Sequence, residues 1–208
     1  MNYDDIISSA LSYSDRDVNS EAASKVSDFI SVLEAKLNRR LKVSQMAKRS
    51  VTTTVAGQEY YSLPTDFAGL RDIEIKDEIN STEKQTLTFL PPERSNEYSG
   101  RTLSSNQTFY TIIANQIQII PARSNKIMEV VYYQRIPSLT PANTSNWLSD
   151  TYPDIYIFGL MTEISAFVKD AEAAGLWGAR FEEAISELKG DDKNSRWSGA
   201  TMAITREV

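Results

Sequence analysis

Residues 126–161 constrain the fold more than any other part of the sequence, because they join an apolar strand to a long helix. The strand has apolar side chains on both faces, with Met128, Val130 and Tyr132 on one face and Ile127, Val131 and Tyr133 on the other. Pro137 and Pro141 then prevent further strand pairing, and Pro153 suits the first turn of a helix. The sequence therefore predicts a strand covered on both faces, a polar connector and a helix.

Two helical patterns lie near the start of the chain. Residues 4–13 place apolar side chains at helical spacing, with Asp4 and Asp5 at the end where the helix dipole favours negative charge. A second pattern begins near residue 20 and predicts a longer helix. Its apolar stripe consists of Ala22, Val26, Phe29, Ile30, Leu33 and Leu37.

From Val51 onward the spacing of apolar residues changes from about 3.6 to about 2, which is typical of strands. Residues 51–55 and 59–63 flank a turn and predict a hairpin, and residues 109–113 and 117–120 predict a second hairpin. We expect about five to seven strands in this region. The other expected elements are strands at 71–76 and 87–90, a brief helix from residue 91 and a polar loop at 99–107.

Helical spacing returns at residues 155–168 and 177–188, with a break expected at Gly175. Gly190 is expected to end the second of these helices. Residues 191–208 have little periodicity and predict a tail that docks on another surface, since its apolar residues are too sparse to form a core. These residues are Trp197, Met202 and Ile204.

The order of helices, then strands, then helices predicts the α+β class. Because one amphipathic helix cannot bury its apolar stripe alone, the helices from the two ends of the chain are expected to pack together. We therefore predict a four-helix bundle-like domain from residues 1–50 and 138–190. An antiparallel β-sandwich or barrel domain, residues 51–137, is inserted into it, and residues 191–208 form the docking tail.

The chain contains no His and no Cys among its 208 residues. This composition removes Ser-His-Asp and Cys-His catalysis, disulfides and the usual ligands of zinc. Carboxylate catalysis and binding of hard cations through oxygen atoms remain open. No stretch is long and apolar enough to span a bilayer, and the first residues lack a basic secretory signal, so we expect cytoplasmic synthesis.

Two groups of acidic residues resemble cation or catalytic sites only superficially. Neither group has the spacing of a calcium-binding loop, and solvated acids at helix ends and on strands are common. We therefore predict no catalytic residue, no metal site and no cofactor. The groups are Glu187, Asp191 and Asp192, and Asp72, Glu74, Asp77 and Glu78.

A basic cluster stands out in a chain whose formal net charge is −6. A solvated helix end, an interface with an acidic protein, and a surface that meets DNA phosphates in a channel all remain open for it. Interleaved aromatic residues would have favoured nucleic acid, and the cluster has none. Its members are Lys36, Arg39, Arg40, Lys42, Lys48 and Arg49.

Most aromatic residues between 132 and 158 fit core packing, but Trp147 lies in a stretch that reads as a polar loop. Aromatic side chains are frequent anchors of protein interfaces. Trp147 is therefore the candidate aromatic interface residue.

The order of several short motifs resembles the head-to-tail adaptor proteins of short-tailed bacteriophages. The chain begins with a helix and continues through YSLPTDF at 61–67, IQIIP at 117–121 and YYQRIPSLT at 132–140. The motifs NWL at 146–148 and YPDIY at 152–156 then lead into an aromatic helix. The resemblance covers nearly the whole chain, and it is carried by the fixed order of the motifs.

The resemblance implies a structural virion protein at the head–tail junction, made in the host cytoplasm. It implies a homo-oligomeric ring of twelve copies that binds the portal protein, joins it to the tail or nozzle protein and continues the DNA channel. It also implies that the C-terminal segment becomes ordered on the portal. The portal-contact candidates are Arg196, Trp197, Met202, Ile204 and Arg206.

Two other functions remain as alternatives. A tail-associated hydrolase would depend on carboxylates alone. A DNA-binding protein would use the basic cluster, and its binding would weaken steeply with salt.

Overall fold

The computed structural model describes residues 1–15, 20–79, 81–98 and 107–197. The helices are α1 Tyr3–Tyr13, α2 Glu21–Ser24, α3 Val26–Arg40, α4 Pro92–Tyr98, α5 Trp147–Thr151, α6 Pro153–Phe167 and α7 Ala171–Trp197. The strands are β1 Ala47–Thr53, β2 Tyr60–Ser62, β3 Phe67–Lys76, β4 Lys84–Thr86, β5 Thr88–Phe89, β6 Phe109–Ile113, β7 Gln116–Ile120 and β8 Ile127–Gln134. The predicted α+β class is confirmed.

The chain divides into two compact units. The first unit comprises Met1–Gln45 and Ile136–Val208, and the second comprises Met46–Arg135. All helices except α4 belong to the first unit, which we call the helical unit. All strands belong to the second unit, which we call the β unit.

Helix α6 is the centre of the helical unit, because it contacts α1, α3 and α7. A helix with neighbours on several sides has apolar residues on more than one face, which explains the weak amphipathic pattern of α6. Its buried residues are Ile155, Tyr156, Gly159, Leu160, Met161, Ile164 and Ser165.

Gly159 allows α6 to approach α3 closely. A Cβ atom at this position would lie 2.5 Å from Cδ1 and 2.7 Å from Cδ2 of Leu33, whose side chain is fully buried. Because Leu33 has little room to move, we expect Gly159→Ala to lower the free energy of unfolding by about 1–3 kcal/mol. Urea denaturation of the purified protein measures this change.

Gly175 provides the matched control for this substitution. It lies inside α7, and apart from its chain neighbours and the nearby backbone of α7 no atom lies within 4 Å of the position that a Cβ atom would take. Gly175→Ala should therefore stabilise the protein by up to about 1 kcal/mol, because alanine favours helices. Equal effects at the two positions would contradict the close packing of α6 and α3.

The helix boundaries differ from the predictions in three places. The second predicted helix is interrupted at Lys25, which separates α2 from α3. The break expected at Gly175 lies earlier, because the Asp170 side chain accepts a hydrogen bond from Ala173 N–H at 3.0 Å and starts α7 there. Helix α7 also continues past Gly190 to Trp197, so the first part of the predicted tail is helical.

The β unit contains two four-stranded sheets. The first sheet has the order β1-β8-β3-β4, and the second has the order β2-β7-β6-β5. The predicted hairpin of β6 and β7 is confirmed, and Ala114 in its turn has a positive φ of 54°. The predicted brief helix after residue 91 is α4. The pairing is antiparallel except between β5 and β6, which are parallel.

The predicted hairpin of residues 51–55 and 59–63 is wrong. Strand β1 pairs with β8 from Ala47 to Thr53, whereas β2 pairs with β7 in the other sheet. The long register with β8 provides more hydrogen bonds and cross-strand contacts than a local pairing of β1 with the short β2 would. The turn at Gly57 therefore connects two sheets rather than two neighbouring strands.

One apolar cluster contains buried side chains from both sheets. They include Tyr61, Ile117 and Ile119 from the second sheet, and Ile73, Ile75, Met128, Val130 and Tyr132 from the first. The other face of β8 carries Ile127, Val131 and Tyr133, which are only partly buried. The expectation that both faces of β8 are fully covered is therefore wrong for this second face.

Candidate assembly surfaces

Four of the six cations in the basic cluster form ion pairs with acidic side chains of the same chain. The pairs are Lys36–Glu163, Arg40–Glu182, Lys48–Asp66 and Arg49–Glu129. Arg40 and Arg49 each bind their carboxylate through two hydrogen bonds. Because each acid offsets its cation at close range, the cluster attracts phosphate much less than six free cations would.

The basic cluster is also divided between the two units. Its members up to Lys42 belong to the helical unit, whereas Lys48 and Arg49 belong to the β unit. Lys42 donates a hydrogen bond to the backbone carbonyl of Asn38 at 3.2 Å, and Arg39 has no ion pair within the described part of the chain. The role of the six cations as an interface or channel surface stays a prediction.

Ion pairs connect all four strands of the first sheet, on the face opposite the apolar cluster. Arg49 on β1 and Lys76 on β3 both bind Glu129 on β8. On the far side, Lys84 on β4 binds Glu74 on β3. Hydrogen bonds from Arg49 and Lys76 lower the pKa of Glu129 from 4.5 to about 2. The charged side chains in this row of the sheet face are thus paired with one another.

Two polar side chains of α3 hold the connector, residues 136–146. Asn38 accepts a hydrogen bond from Ile136 N–H at 2.8 Å, and Glu34 accepts one from Leu139 N–H at 2.7 Å. Glu34 also accepts a hydrogen bond from the Tyr156 hydroxyl at 3.1 Å. Burial raises the pKa of both Glu34 and Tyr156.

The sequence analysis missed Glu34, which is 4% exposed. A signal was present, because Glu34 lies four residues after Ile30 and three before Leu37, within the apolar stripe of α3. A charged residue at such a position must be paired when the stripe is buried. Its partners come from distant parts of the sequence and were therefore not visible.

Trp147 was expected to lie in a polar loop, but it is the first residue of α5. The Asn146 side chain caps this helix by accepting hydrogen bonds from Leu148 N–H at 3.1 Å and Ser149 N–H at 2.8 Å. Trp147 is partly buried, and its indole N–H is buried without a hydrogen-bond partner among the residues that the structure describes. Its role as an interface residue stays a prediction.

The end of α7 is tied to the segment after α3. The Asp192 carboxylate accepts hydrogen bonds from the backbone N–H of Ser44 at 2.7 Å and from its hydroxyl, and it forms an ion pair with Arg196 at 2.7 Å. These contacts lower the pKa of Asp192 against the opposing effect of burial. Arg196 and Trp197 thus belong to the last turn of a helix, whereas Met202, Ile204 and Arg206 lie outside the described residues.

Several acidic residues of the two groups considered in the sequence have ordinary partners. Glu74 and Asp77 form ion pairs with Lys84 and Lys126, and Asp191 accepts a hydrogen bond from the Tyr152 hydroxyl at 3.2 Å. Within the described ranges, no group of three or more acidic residues is arranged to hold a metal ion. A search of the same ranges for a helix with the length and apolar content to cross a membrane found none.

Comparisons with known proteins give the family of the chain. No curated protein matches it. The family described as SU10 adaptor protein matches residues 1–205, which is nearly the full length and includes every helix and strand described above. The order of motifs that resembles phage adaptors lies inside the same match. The chain therefore belongs to the SU10 adaptor protein family.

Proposed function

We propose that this protein is a head-to-tail adaptor in a bacteriophage virion. The observation that carries the proposal is the family match over residues 1–205. Copies of the chain form a ring, with twelve as the proposed number, at the junction between head and tail. The ring binds the portal protein on one side and the tail or nozzle protein on the other, and its central channel lets the genome pass. The role is structural and needs no catalysis.

The paired state of the basic cluster supports this role over that of a DNA-binding protein. A channel for DNA must let the strand slide, so strong attraction between its wall and the phosphates would be unfavourable. In this chain, Lys36, Arg40, Lys48 and Arg49 are offset by their own acids. Genomic DNA is thus a neighbour of the ring and not a ligand that it captures.

For the architecture, we propose a bundle of α1, α3, α6 and α7 in the helical unit. The contacts of α6 with the other three helices support this arrangement. We propose a sandwich for the β unit, supported by the apolar cluster that contains residues of both sheets.

The proposed assembly depends on the portal as a template. Free subunits are monomeric, and a portal ring brings many copies together so that weak lateral contacts become effective. The C-terminal residues dock on the portal, so assembly begins only where the docking surface exists. The proposed portal contacts are Arg196 and Trp197, at the end of α7, and Met202, Ile204 and Arg206.

Mixing the purified protein with portal rings of the same phage tests the function directly. We expect electron micrographs to show an added ring on one face of the portal. Bare portals at high concentrations of both proteins would contradict the proposal.

The double substitution Met202→Ser and Ile204→Ser tests the portal contacts. Because burying one such side chain is worth about 1.5–3 kcal/mol, we expect binding to weaken by more than about tenfold. Co-sedimentation with portal rings measures the change. Leu176→Ser is the control, because Leu176 is an exposed apolar residue of α7 outside the tail, and it should leave binding unchanged. Equal binding by the double variant and the control would contradict the assignment of the tail.

A further inference from the structure

The exposed large apolar side chains of the β unit concentrate on two opposite sides. The edge strands of the first sheet are β1 and β4, and those of the second sheet are β2 and β5. Val51, Val55 and Tyr60 lie on or beside β1 and β2, whereas Phe89 lies on β5 and Ile79 between β3 and β4. Among the described residues, the other such side chain of this unit is Ile113, at the tip of the β6–β7 hairpin. Exposed apolar groups beside open strand edges favour pairing with another chain.

Among the residues that the structure describes, the outer edge of β1 has backbone groups without a strand partner. Thr54 N–H donates a hydrogen bond to the Lys126 carbonyl at 2.8 Å, so the backbone groups of Thr54 face β8. Along an antiparallel strand the backbone groups of successive residues face alternate sides, so those of Arg49, Val51 and Thr53 point away from β8. No described strand pairs with this edge.

The outer edge of β4 likewise has no partner among the described strands. Leu87 N–H donates a hydrogen bond to the Ile73 carbonyl at 3.1 Å. The backbone groups of Lys84 and Thr86 therefore point away from β3. The edge is short, and the exposed side chain of Phe89 lies three residues after its end, on β5.

The two sides also differ in shape. An open groove of about 460 Å³ lies between β1 and β2, and Tyr61, Ile117 and Met128 are among the residues that line it. The opposite side presents Phe89 and Ile79, which are 53% and 59% exposed. The apolar residues that line the groove on one side can contact the apolar side chains that project on the other.

The strand directions permit a head-to-tail contact. The first sheet has four strands with antiparallel neighbours, so β1 and β4 run in opposite directions. When β4 of one copy lies beside β1 of the next, the new pair is antiparallel and continues the pattern of the sheet. Such a contact uses different surfaces of each copy and can close into a ring.

We propose that neighbouring copies of this chain join through the edges of their sheets, with β1 and β2 of one copy against β4 and β5 of the next. This inference rests on the proposed ring and assigns its lateral contact.

Engineered cysteines test the contact, because the natural chain has none. Thr53 and Thr86 are exposed residues on β1 and β4, and both lie on the face away from the apolar cluster. We expect a mixture of Thr53→Cys and Thr86→Cys proteins, assembled on portal rings, to give cross-linked dimers with a short bismaleimide. Each variant alone should remain monomeric on a denaturing gel. Cross-links within one variant only, or none on assembled rings, would overturn the proposal.

Substitution of Val51 tests the backbone pairing. Because the Val51 N–H points away from β8, Val51→Pro keeps the pairing within the sheet but removes a donor from the free edge. We expect Val51→Pro in the Thr53→Cys protein to reduce cross-linking more than about tenfold, while Val51→Thr, which keeps the N–H, retains it. Circular dichroism confirms that both variants fold, and equal cross-linking by the two overturns the pairing.

Failure of this inference is distinguishable from failure of the proposed function. Rings on the portal without the mixed cross-link would overturn only the edge contact. If no rings form, the adaptor proposal fails, and the same cross-linking at high protein concentration decides the edge contact. A cross-link between the two variants at high protein concentration supports the edge contact, and the absence of this cross-link overturns the edge contact.

Discussion

Replacing Glu34 with alanine is expected to lower the free energy of unfolding by about 3–5 kcal/mol, the largest effect of any single substitution proposed for this chain. Glu34 accepts hydrogen bonds from Leu139 N–H and from the Tyr156 hydroxyl, and both contacts are buried. Glu34→Ala leaves these two donors without an acceptor and creates a cavity between α3 and the connector. Urea denaturation followed by circular dichroism measures the loss.

Glu34→Gln is the matched control, because glutamine keeps a carbonyl oxygen at the position of the acceptor. We expect it to cost about 1–2 kcal/mol, less than alanine, since only its NH₂ group is left to find a partner. The raised pKa of Glu34 adds a pH dependence. The folded chain binds the proton of the Glu34 carboxyl more tightly than the unfolded chain does. The stability contributed by this protonation is therefore fully present at low pH and is lost as pH rises through the folded pKa. Equal losses for alanine and glutamine would contradict this role, because glutamine keeps the shape of the side chain and the acceptor oxygen.

Removing the charge of Glu129 is expected to lower the free energy of unfolding at neutral pH by about 2 kcal/mol. Arg49 and Lys76 lower the pKa of this carboxyl to about 2. A shift of this size corresponds to about 3 kcal/mol, and solvent around the 55% exposed Arg49 reduces it. Glu129→Gln keeps the shape of the side chain, so the loss reports the charge.

The effect of Glu129 depends on pH in a defined direction. The unfolded chain binds the proton near pH 4.5, whereas the folded chain binds it near pH 2. The contribution of Glu129 is therefore fully present above pH 4.5 and disappears as pH falls toward 2. Denaturation curves of the natural protein and Glu129→Gln should converge over this range.

Asp77→Asn is the control for Glu129→Gln. Asp77 pairs with Lys126, but its side chain is 77% exposed. We expect less than about 0.5 kcal/mol at any pH, because solvent screens an exposed pair. A pH-independent difference between Glu129→Gln and the natural protein would contradict the role of the ion pairs.

The sequence predicted elements whose evidence is local. The α6 helix followed from helical spacing after Pro153, and the β6–β7 hairpin followed from two strands around a short turn. The same reasoning failed for β1 and β2, because a turn at Gly57 between two strand patterns is consistent with a hairpin and with a crossing between sheets. Local spacing does not identify the partner of a strand.

The candidate surfaces were less predictable than the fold. The basic cluster was visible as six cations, but the acids that pair with four of them lie between 18 and 142 positions away in the chain. Glu34 was visible as a polar residue in an apolar stripe, but its partners Leu139 and Tyr156 were not. In both cases the sequence shows the charged residue but not the distant residues that contact it.

The sequence by itself determined where the chain is helical and where it is extended, and the order of its motifs indicated the family. Those properties depend on neighbouring residues, whose periodicity and turn preferences act over a few positions. The tertiary structure alone decided that β1 pairs with β8, that four of the six cations of the basic cluster form ion pairs within the chain and that two sides of the β unit have open edges among the described strands. These properties arise from contacts between residues far apart in the sequence, and such contacts are selected by the combined burial and hydrogen bonding of the whole unit.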